Sequence, residues 1–504
     1  MNLVTDPWIP VIFHDGSANL VSLHDAFALG QKIRDLNVMP HERIAIMRLL
    51  VCITQAALDG PGTYEEWEAC FNLLTEASVQ YLLKWQDSFE LFGTQKRFLQ
   101  VIGLSVDQKK CENNTRSSKL DFALATGNNT TLFDNAATEK SRDFSKARLA
   151  LTLLTFQCFS PGGRIGIALW NGVKTPGDGS SSHAPCTGSI IHTLIRGKTL
   201  IHTIYLNLIS KEECLNTYGE TSWGKPIWEQ MPSSLNDESA ARNMRATYLG
   251  RLLPLSRAIF FLNLRHIILA NGFSYPPYPI FREATATAYI SKSKNNEEPS
   301  LLKASPTKAI WRELHSILVL NKNRMGGPLS LSKLTSNEDI DIWTGALIID
   351  PKQAAKILDS AESNFHIPTN MLTEPGRKIY EEGVIFADQM ADTLWRSIST
   401  YLNEMNIEPD RAKRIKAKSA FYFWTTVQNG VSLLLDLVKD PSPLGTGYHF
   451  HTSKWGHFVQ ENAKAAYTLG CPHSTSRQIE AFAVGENVLL TMLFKKQERN
   501  EQTK

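Results

Sequence analysis

Residue types able to make or break bonds are present in this chain, but they are scattered. Cys158 and Cys186 stand on either side of His183, the ingredients of a thiolate nucleophile with an imidazole base. Near the C-terminus, His449, His451, His457, Cys471 and His473 are of metal-ligand type. Of these only His449 and His451 form a tight pair, and the competing reading is solvated or helix-end histidines. Phosphate-cradling GxxxxGK[ST], a GxSxG elbow and HExxH are all missing. Carboxylates are numerous, yet the sequence alone pairs none of them for acid–base work. No catalytic residue, metal site or cofactor is therefore assigned.

A second kind of chemistry needs backbone and charge. The stretch 159–188, FSPGGRIGIALWNGVKTPGDGSSSHAPCTG, carries Gly162, Gly163, Gly166, Gly172, Gly177, Gly179 and Gly188. Glycine clusters where the chain takes positive φ or comes close to something else. A long loop in a compact domain is either functional or a surface connection with no partner, and both readings stand here. Basic residues gather at Arg411, Arg414 and Lys418, spaced i, i+3 and i+7 on one helical stripe, with Lys413 and Lys416 beside it. Such a stripe follows a phosphate backbone or is simply a solvated face. Lys292 and Lys294 occupy a hairpin tip, suited to a phosphate or to a plain soluble turn.

These residues need elements to hold them. At 504 residues the chain calls for two or three domains. Its 42% apolar and 20% charged content is that of a soluble globular protein, and a net charge of +3 leaves DNA binding to local patches. Seven cysteines without a CxxC pair argue against a zinc ribbon or a disulfide framework and suit a reducing, cytoplasmic setting. The N-terminus has no signal-peptide pattern, and no apolar run is long enough for a membrane span.

Periodicity predicts an edge strand around Trp8–Val11 and helices over 42–57, 64–77, 79–85 and 146–158. Short strands are expected at 89–92 and 98–101. The segment 211–245 reads as loop, anchored by Trp223 and Trp228. Strands follow at 189–196, 255–264 and 266–269, then a hairpin of 287–291 with 301–304. Asp350, Pro351 and Gln353 read as the capped start of a helix over 351–361. After about residue 365, helical patterns at 377–405, 409–438, 453–469 and 476–497 imply an antiparallel four-helix bundle. The fold class is thus α+β: a mixed α/β body, 1–365, followed by a helical bundle, 366–504.

The opening residues Asn2-Leu3-Val4-Thr5-Asp6-Pro7-Trp8-Ile9-Pro10-Val11 resemble the N-L-x-x-D-x-W-I-P-V start of the CasA family, the large subunit of the type I-E CRISPR surveillance complex Cascade. FELFGTQKRFLQV at 89–101 is similar to the family's F-x-L…P-F-x-Q segment, with Arg97 in place of the proline. Leu194-Ile195-Arg196-Gly197 with Thr203–Leu208 is similar to its V-R-G…T-x-L-L-N-L.

The resemblance implies a protein without catalysis. Such a subunit recognises the protospacer-adjacent motif (PAM) in double-stranded DNA, helps start duplex opening and R-loop formation, and helps recruit the helicase-nuclease. Its implied partners are the other Cascade subunits, the CRISPR guide RNA, target duplex DNA and that helicase-nuclease effector, with no membrane. Ser160, Pro161, Gly162 and Gly163 resemble the family's motif-reading glycine loop, with Gly177 and Gly179 as rivals after an insertion. Phe133 and Asn135 resemble the segment that touches the guide RNA handle; a buried core Phe is the other reading. Lys352 and Gln353 resemble the wedge inserted under the first opened base pair, against which stands a simple helix cap. Lys292 and Lys294 resemble a basic hairpin on the DNA backbone, a role to which Arg411, Arg414 and Lys418 are added. No lysine lies at 269–273, where the family has its minor-groove residue, so Asn271 is the candidate there. The rival function is a stand-alone nuclease built on His183 or the 449–473 histidines.

Overall fold

The computed structural model describes residues 1–106, 115–123, 144–161, 165–177, 184–220, 222–293, 296–322, 324–334, 338–350, 352–353, 356–439 and 450–501. These fall into two compact units. The first comprises Met1–Lys308, Leu320–Leu334 and Ile340–His366; the second comprises Ala309–Val319, Thr335–Asp339 and Ile367–Lys504.

The first unit is built from short sheets wrapped around two buried helices. Strands β1 (Ile9–Phe13), β2 (Ala18–Val21) and β3 (Ile33–Leu36) form one sheet in the order β2-β1-β3, with α1 (Leu23–Ala28) between β2 and β3 in sequence. Ser22 caps α1 by accepting from the Asp25 amide. The expected edge strand is thus the central one. Pro10 still serves it, because its carbonyl accepts from the Asn37 amide and needs no N–H to do so.

Helix α2 (Pro40–Leu58) runs through the core and is buried almost all round. The helices α3 (Tyr64–Ala69) and α4 (Leu74–Lys84) follow. No strand forms at 89–92 or 98–101; that chain is held by isolated backbone hydrogen bonds, such as Leu91 to the Met1 carbonyl and Val101 to the Ile259 carbonyl, and by side chains. Gln100 donates to the Leu91 carbonyl and accepts from the Phe261 amide. Strands β4 (Leu104–Val106) and β5 (Thr115–Arg116) precede α5 (Lys146–Phe159), which Ser145 caps through the Arg148 amide.

Strands β6 (Ala168–Trp170) and β7 (Val173–Lys174) join β4 in a sheet of order β4-β6-β7. Then come β8 (His192–Arg196) and α6 (Leu200–Leu206), capped by Thr199. The span read as loop instead holds α7 (Lys211–Tyr218) and α8 (Glu238–Ala246), and α9 (Tyr248–Leu252) follows directly. Ser210, Asp237 and Thr247 cap these three. Helices α7 and α8 are short and polar, so their apolar periodicity is weak and only the caps announce them.

Strands β9 (Arg257–Phe261) and β10 (His266–Asn271) pair with β5 in the order β5-β10-β9. A hairpin forms from β11 (Ala288–Ser293) and β12 (Asn296–Leu301), but its second strand ends at Leu301 rather than starting there, so the turn is tighter than expected. After α10 (Leu314–Ile317), which belongs to the second unit, β13 (Ile340–Ile349) and β14 (Ile357–Ile367) close a sheet of order β14-β13-β8.

The residues that carry the family resemblance close this unit. Asn2 accepts from the Val4 amide and donates to the Gln86 carbonyl and to Glu90, while Trp8 donates to the Leu3 carbonyl. Asn207 accepts from the Ile195 amide and donates to the Ile195 and Thr203 carbonyls.

The second unit is helical: α11 (Glu374–Glu404), α12 (Pro409–Gln428), α13 (Val431–Lys439), α14 (Lys454–Gly470) and α15 (Ser476–Glu501). Helix α11 packs on α12, α13, α14 and α15, and α12 packs on α14. The single helix expected over 409–438 is broken at Asn429–Gly430. A Cβ on Gly430 would lie 2.2 Å from the Phe458 ring of α14, so glycine permits the close approach. Thr475 and Gln478 form the expected capping box of α15. Trp311 belongs here too: its carbonyl accepts from the Tyr380 hydroxyl and its ring packs against Trp455.

Candidate nucleic-acid interface

Three parts of the first unit are tied together at Ser189, the residue that follows the glycine-rich stretch. Its hydroxyl accepts from the Ile349 amide at 3.0 Å, at the end of β13. Its carbonyl accepts from the Ala304 amide at 2.8 Å, just beyond β12. Ile190 bridges Lys303, and the Ile191 amide donates to the Leu302 carbonyl. One short segment therefore fastens the β13–β14 hairpin, the β11–β12 hairpin and the end of the glycine stretch. Ser189 takes φ +61°, a left-handed conformation uncommon for a residue with a Cβ. Sequence reasoning missed it; its position after Gly188 was the available signal.

The β13–β14 turn carries Lys352 and Gln353, both exposed. Here the expected helix over 351–361 is overturned. Asp350 does accept from the Lys352 amide (2.8 Å), and its carbonyl accepts from the Gln353 amide (3.2 Å). The Gln353 carbonyl then accepts from the Lys356 amide, and the chain runs back as β14. An aspartate that opens an Asx turn serves a helix start and a hairpin equally well, so the local signal was ambiguous. Gln353 caps no helix.

The glycine segments are described only at their ends. Gly162, Gly163 and Gly179 lie outside the described residues, as do Phe133, Asn135, Lys294, His183 and His449. Ser160, Pro161 and Gly177 are described, and each is fastened from below. Arg257 of β9 donates through Nε to the Ser160 hydroxyl (2.6 Å) and through one terminal nitrogen to the Pro161 carbonyl (2.6 Å). Its other terminal nitrogen donates to Oδ1 of Asn271. Asn271 donates to the carbonyls of Pro176 (3.0 Å) and Gly177 (3.5 Å).

Asn271 thus departs from its expected place: it is 1% exposed, and its amide is turned inward to the glycine segments rather than outward to a groove. Arg257 is fully buried, and burial alone pulls its guanidinium down to about 10, which leaves it charged at neutral pH. A charged residue at the head of the apolar strand RAIFF was the sequence signal for it.

Lys292 lies on β11 opposite Glu297, and the hairpin turns just beyond it. In the second unit Arg411, Arg414 and Lys418 stand on α12, with Lys413. Lys416 is turned aside, its ammonium 4.2 Å from the Trp395 ring. Phe421, on the same helix, is 75% exposed.

Of the groups suited to hydrolysis, His183 and His449 lie outside the described residues. Cys158 and Cys186 are buried. His451 packs edge-on to Phe386 and bonds Gln460, whereas His473 lies against Phe482. Among the described residues no group of three or more His, Cys, Asp or Glu side chains is arranged to hold a metal ion. No described helix is long and apolar enough to cross a membrane.

Comparison with known proteins gives one consistent result. A family profile described as CRISPR-associated protein Cse1 matches residues 2–465. A curated relative, CRISPR-associated protein CasA/Cse1 of Thermus thermophilus, is 26% identical over 409 residues, which is 78% of this chain and 76% of that protein. A crystal structure of CasA from Thermus thermophilus superimposes with a TM-score of 0.76 at 20% identity, covering 98% of this chain and 99% of that one. A chain from a solved CRISPR RNA-guided surveillance complex gives 0.73 at 14% identity, covering 97% and 99%.

Proposed function

The chain belongs to the Cse1 family of CRISPR-associated proteins, and from that premise we propose that it is the large subunit of a Cascade-type surveillance complex. In this reading it works with the other subunits and a guide RNA, recognises the PAM in duplex DNA, helps start strand separation and helps recruit a helicase-nuclease. It cuts no bond itself.

The observation that carries the reading is that Ser189, at the end of the glycine-rich stretch, fastens the end of β13, whose turn exposes Lys352 and Gln353. A reader of two or three base pairs needs backbone brought close to a groove and a side chain free to enter the stack. Backbone edges and short donors suit a minor groove whose pattern is degenerate. An inserted side chain fills the gap left when a base step unstacks. Gln353 has the reach and exposure for that task, and Lys352 beside it meets a phosphate. Lys292, Lys294 and the α12 stripe add contacts that are sequence-blind and salt-dependent. Sequence fidelity is left to guide pairing, so weak local charge is an advantage over a strongly basic surface. Phe133 and Asn135 are proposed for the guide RNA handle on the resemblance alone.

The test is reconstitution with partner subunits and guide RNA, followed by binding to duplexes with intact or scrambled PAM. Motif-dependent binding that needs this chain supports the reading. Cleavage of plasmid by the isolated chain with divalent metals would replace it with the nuclease.

A further inference from the structure

We infer that Arg257 and Asn271 are positioning residues that lock Ser160–Pro161 and Pro176–Gly177 into one fixed relation for duplex recognition. The inference rests on the proposed function and adds to it the device that sets the shape of the reading edge.

The two residues face each other across β9 and β10, paired in register. Three donors of one guanidinium reach three separate oxygens: the Ser160 hydroxyl, the Pro161 carbonyl and Asn271 Oδ1. The carboxamide of Asn271 passes the tie onward to Pro176 and Gly177. Two segments fifteen residues apart in sequence thus hang from one planar node. Behind it, a Cβ on Gly272 would lie 2.4 Å from the Leu255 carbonyl, so glycine permits the close approach at this strand end.

Burying a guanidinium is costly, and an apolar residue of similar volume packs without that cost. Two other buried arginines of this unit, Arg48 and Arg251, share the carboxylate of Glu283. Arg257 directs three donors to neutral oxygens on Ser160, Pro161 and Asn271. What a fork of donors gives, and an ammonium does not, is fixed direction to several acceptors at once. The node touches no DNA; it acts through the segments it holds.

Two variants in the reconstituted complex test this. Asn271→Asp keeps the oxygen facing Arg257 but sets an acceptor against the two carbonyls. Arg257→Lys keeps the charge but loses the fork. Amide exchange is read on peptides spanning 156–161 and 173–177, alongside affinity for duplexes with intact and scrambled PAM. Expected for Asn271→Asp is faster exchange in 173–177 alone. Its preference for the intact motif falls about tenfold, while scrambled-duplex affinity stays within about twofold. Arg257→Lys should loosen both peptides and lose the preference equally.

Exchange unchanged in both variants would overturn the inference, as would loosened segments with the preference intact. A normal Arg257→Lys would do so as well, since charge alone would then suffice. If the wild-type complex itself shows no motif preference, the recognition reading fails and takes the inference with it. The exchange pattern would then still say whether the tie exists.

Discussion

Arg257 and Arg414 are the same residue type in opposite circumstances. Arg257 lies at the floor of the glycine segments with no exposed surface, its donors committed to named oxygens. Arg414 stands in water on α12 beside Arg411 and Lys418. The first fixes backbone; the second offers charge to whatever passes. The contrast teaches that a modestly charged protein can divide its cations by job. Only the exposed set should respond to salt, and only the buried set should matter to folding.

The sharpest way to break that division is stability. Arg257→Met leaves three oxygens short of a donor, at about 1–3 kcal/mol for each that stays unsatisfied, so a loss of at least about 3 kcal/mol is expected. Arg414→Met should change stability by less than about 0.5 kcal/mol. Urea unfolding of the free chain measures both, and equal losses would erase the distinction.

A buried ammonium sharpens the comparison next. Lys333 donates to the Leu208 carbonyl beneath Trp67, and burial pulls it from 10.5 down to about 7. The folded chain then binds fewer protons than the unfolded chain between pH 7 and 10.5. Stability should therefore rise with pH across that window, by at most about 1.4 kcal/mol per unit, and Lys333→Met should flatten the slope. Urea midpoints across the lower half of that window check it.

Gln353→Ala should leave folding and complex assembly unchanged. It should slow strand opening about five- to tenfold, roughly 1 kcal/mol out of an unstacking cost of a few. Permanganate reactivity of the first base pairs reads this. The smallest effect is expected on α12. Replacing Arg411, Arg414 and Lys418 with Gln together should lower the slope of log affinity against log salt by up to about 3, with the motif preference intact.

Much of the fold was legible where caps and periodicity agree. Helix α5 begins at Ser145 and α15 at Thr475–Gln478, as their hydroxyls dictate. The short polar helices α7 and α8 between 211 and 246 were not legible, because few of their residues are apolar. At Asp350 one Asx turn serves two continuations, and the pairing of β13 with β8, remote in sequence, decides for the hairpin. The site was legible in part. Glycine, lysine and glutamine positions were visible as residue types, and Gln353 lost its competing role as a helix cap once β14 was in view. Asn271 was visible too, but its inward direction depends on Arg257, a neighbour across a strand pair that no local pattern reveals.

The proposed function has this chain help open a duplex without cutting it. The direct measurement places 2-aminopurine at the first base pair beside the PAM and follows its fluorescence as the reconstituted complex binds. A rise is expected with the wild-type chain, a slower rise with Gln353→Ala, and no strand cleavage in either. Equal rises for both chains and for a complex lacking this subunit would contradict it.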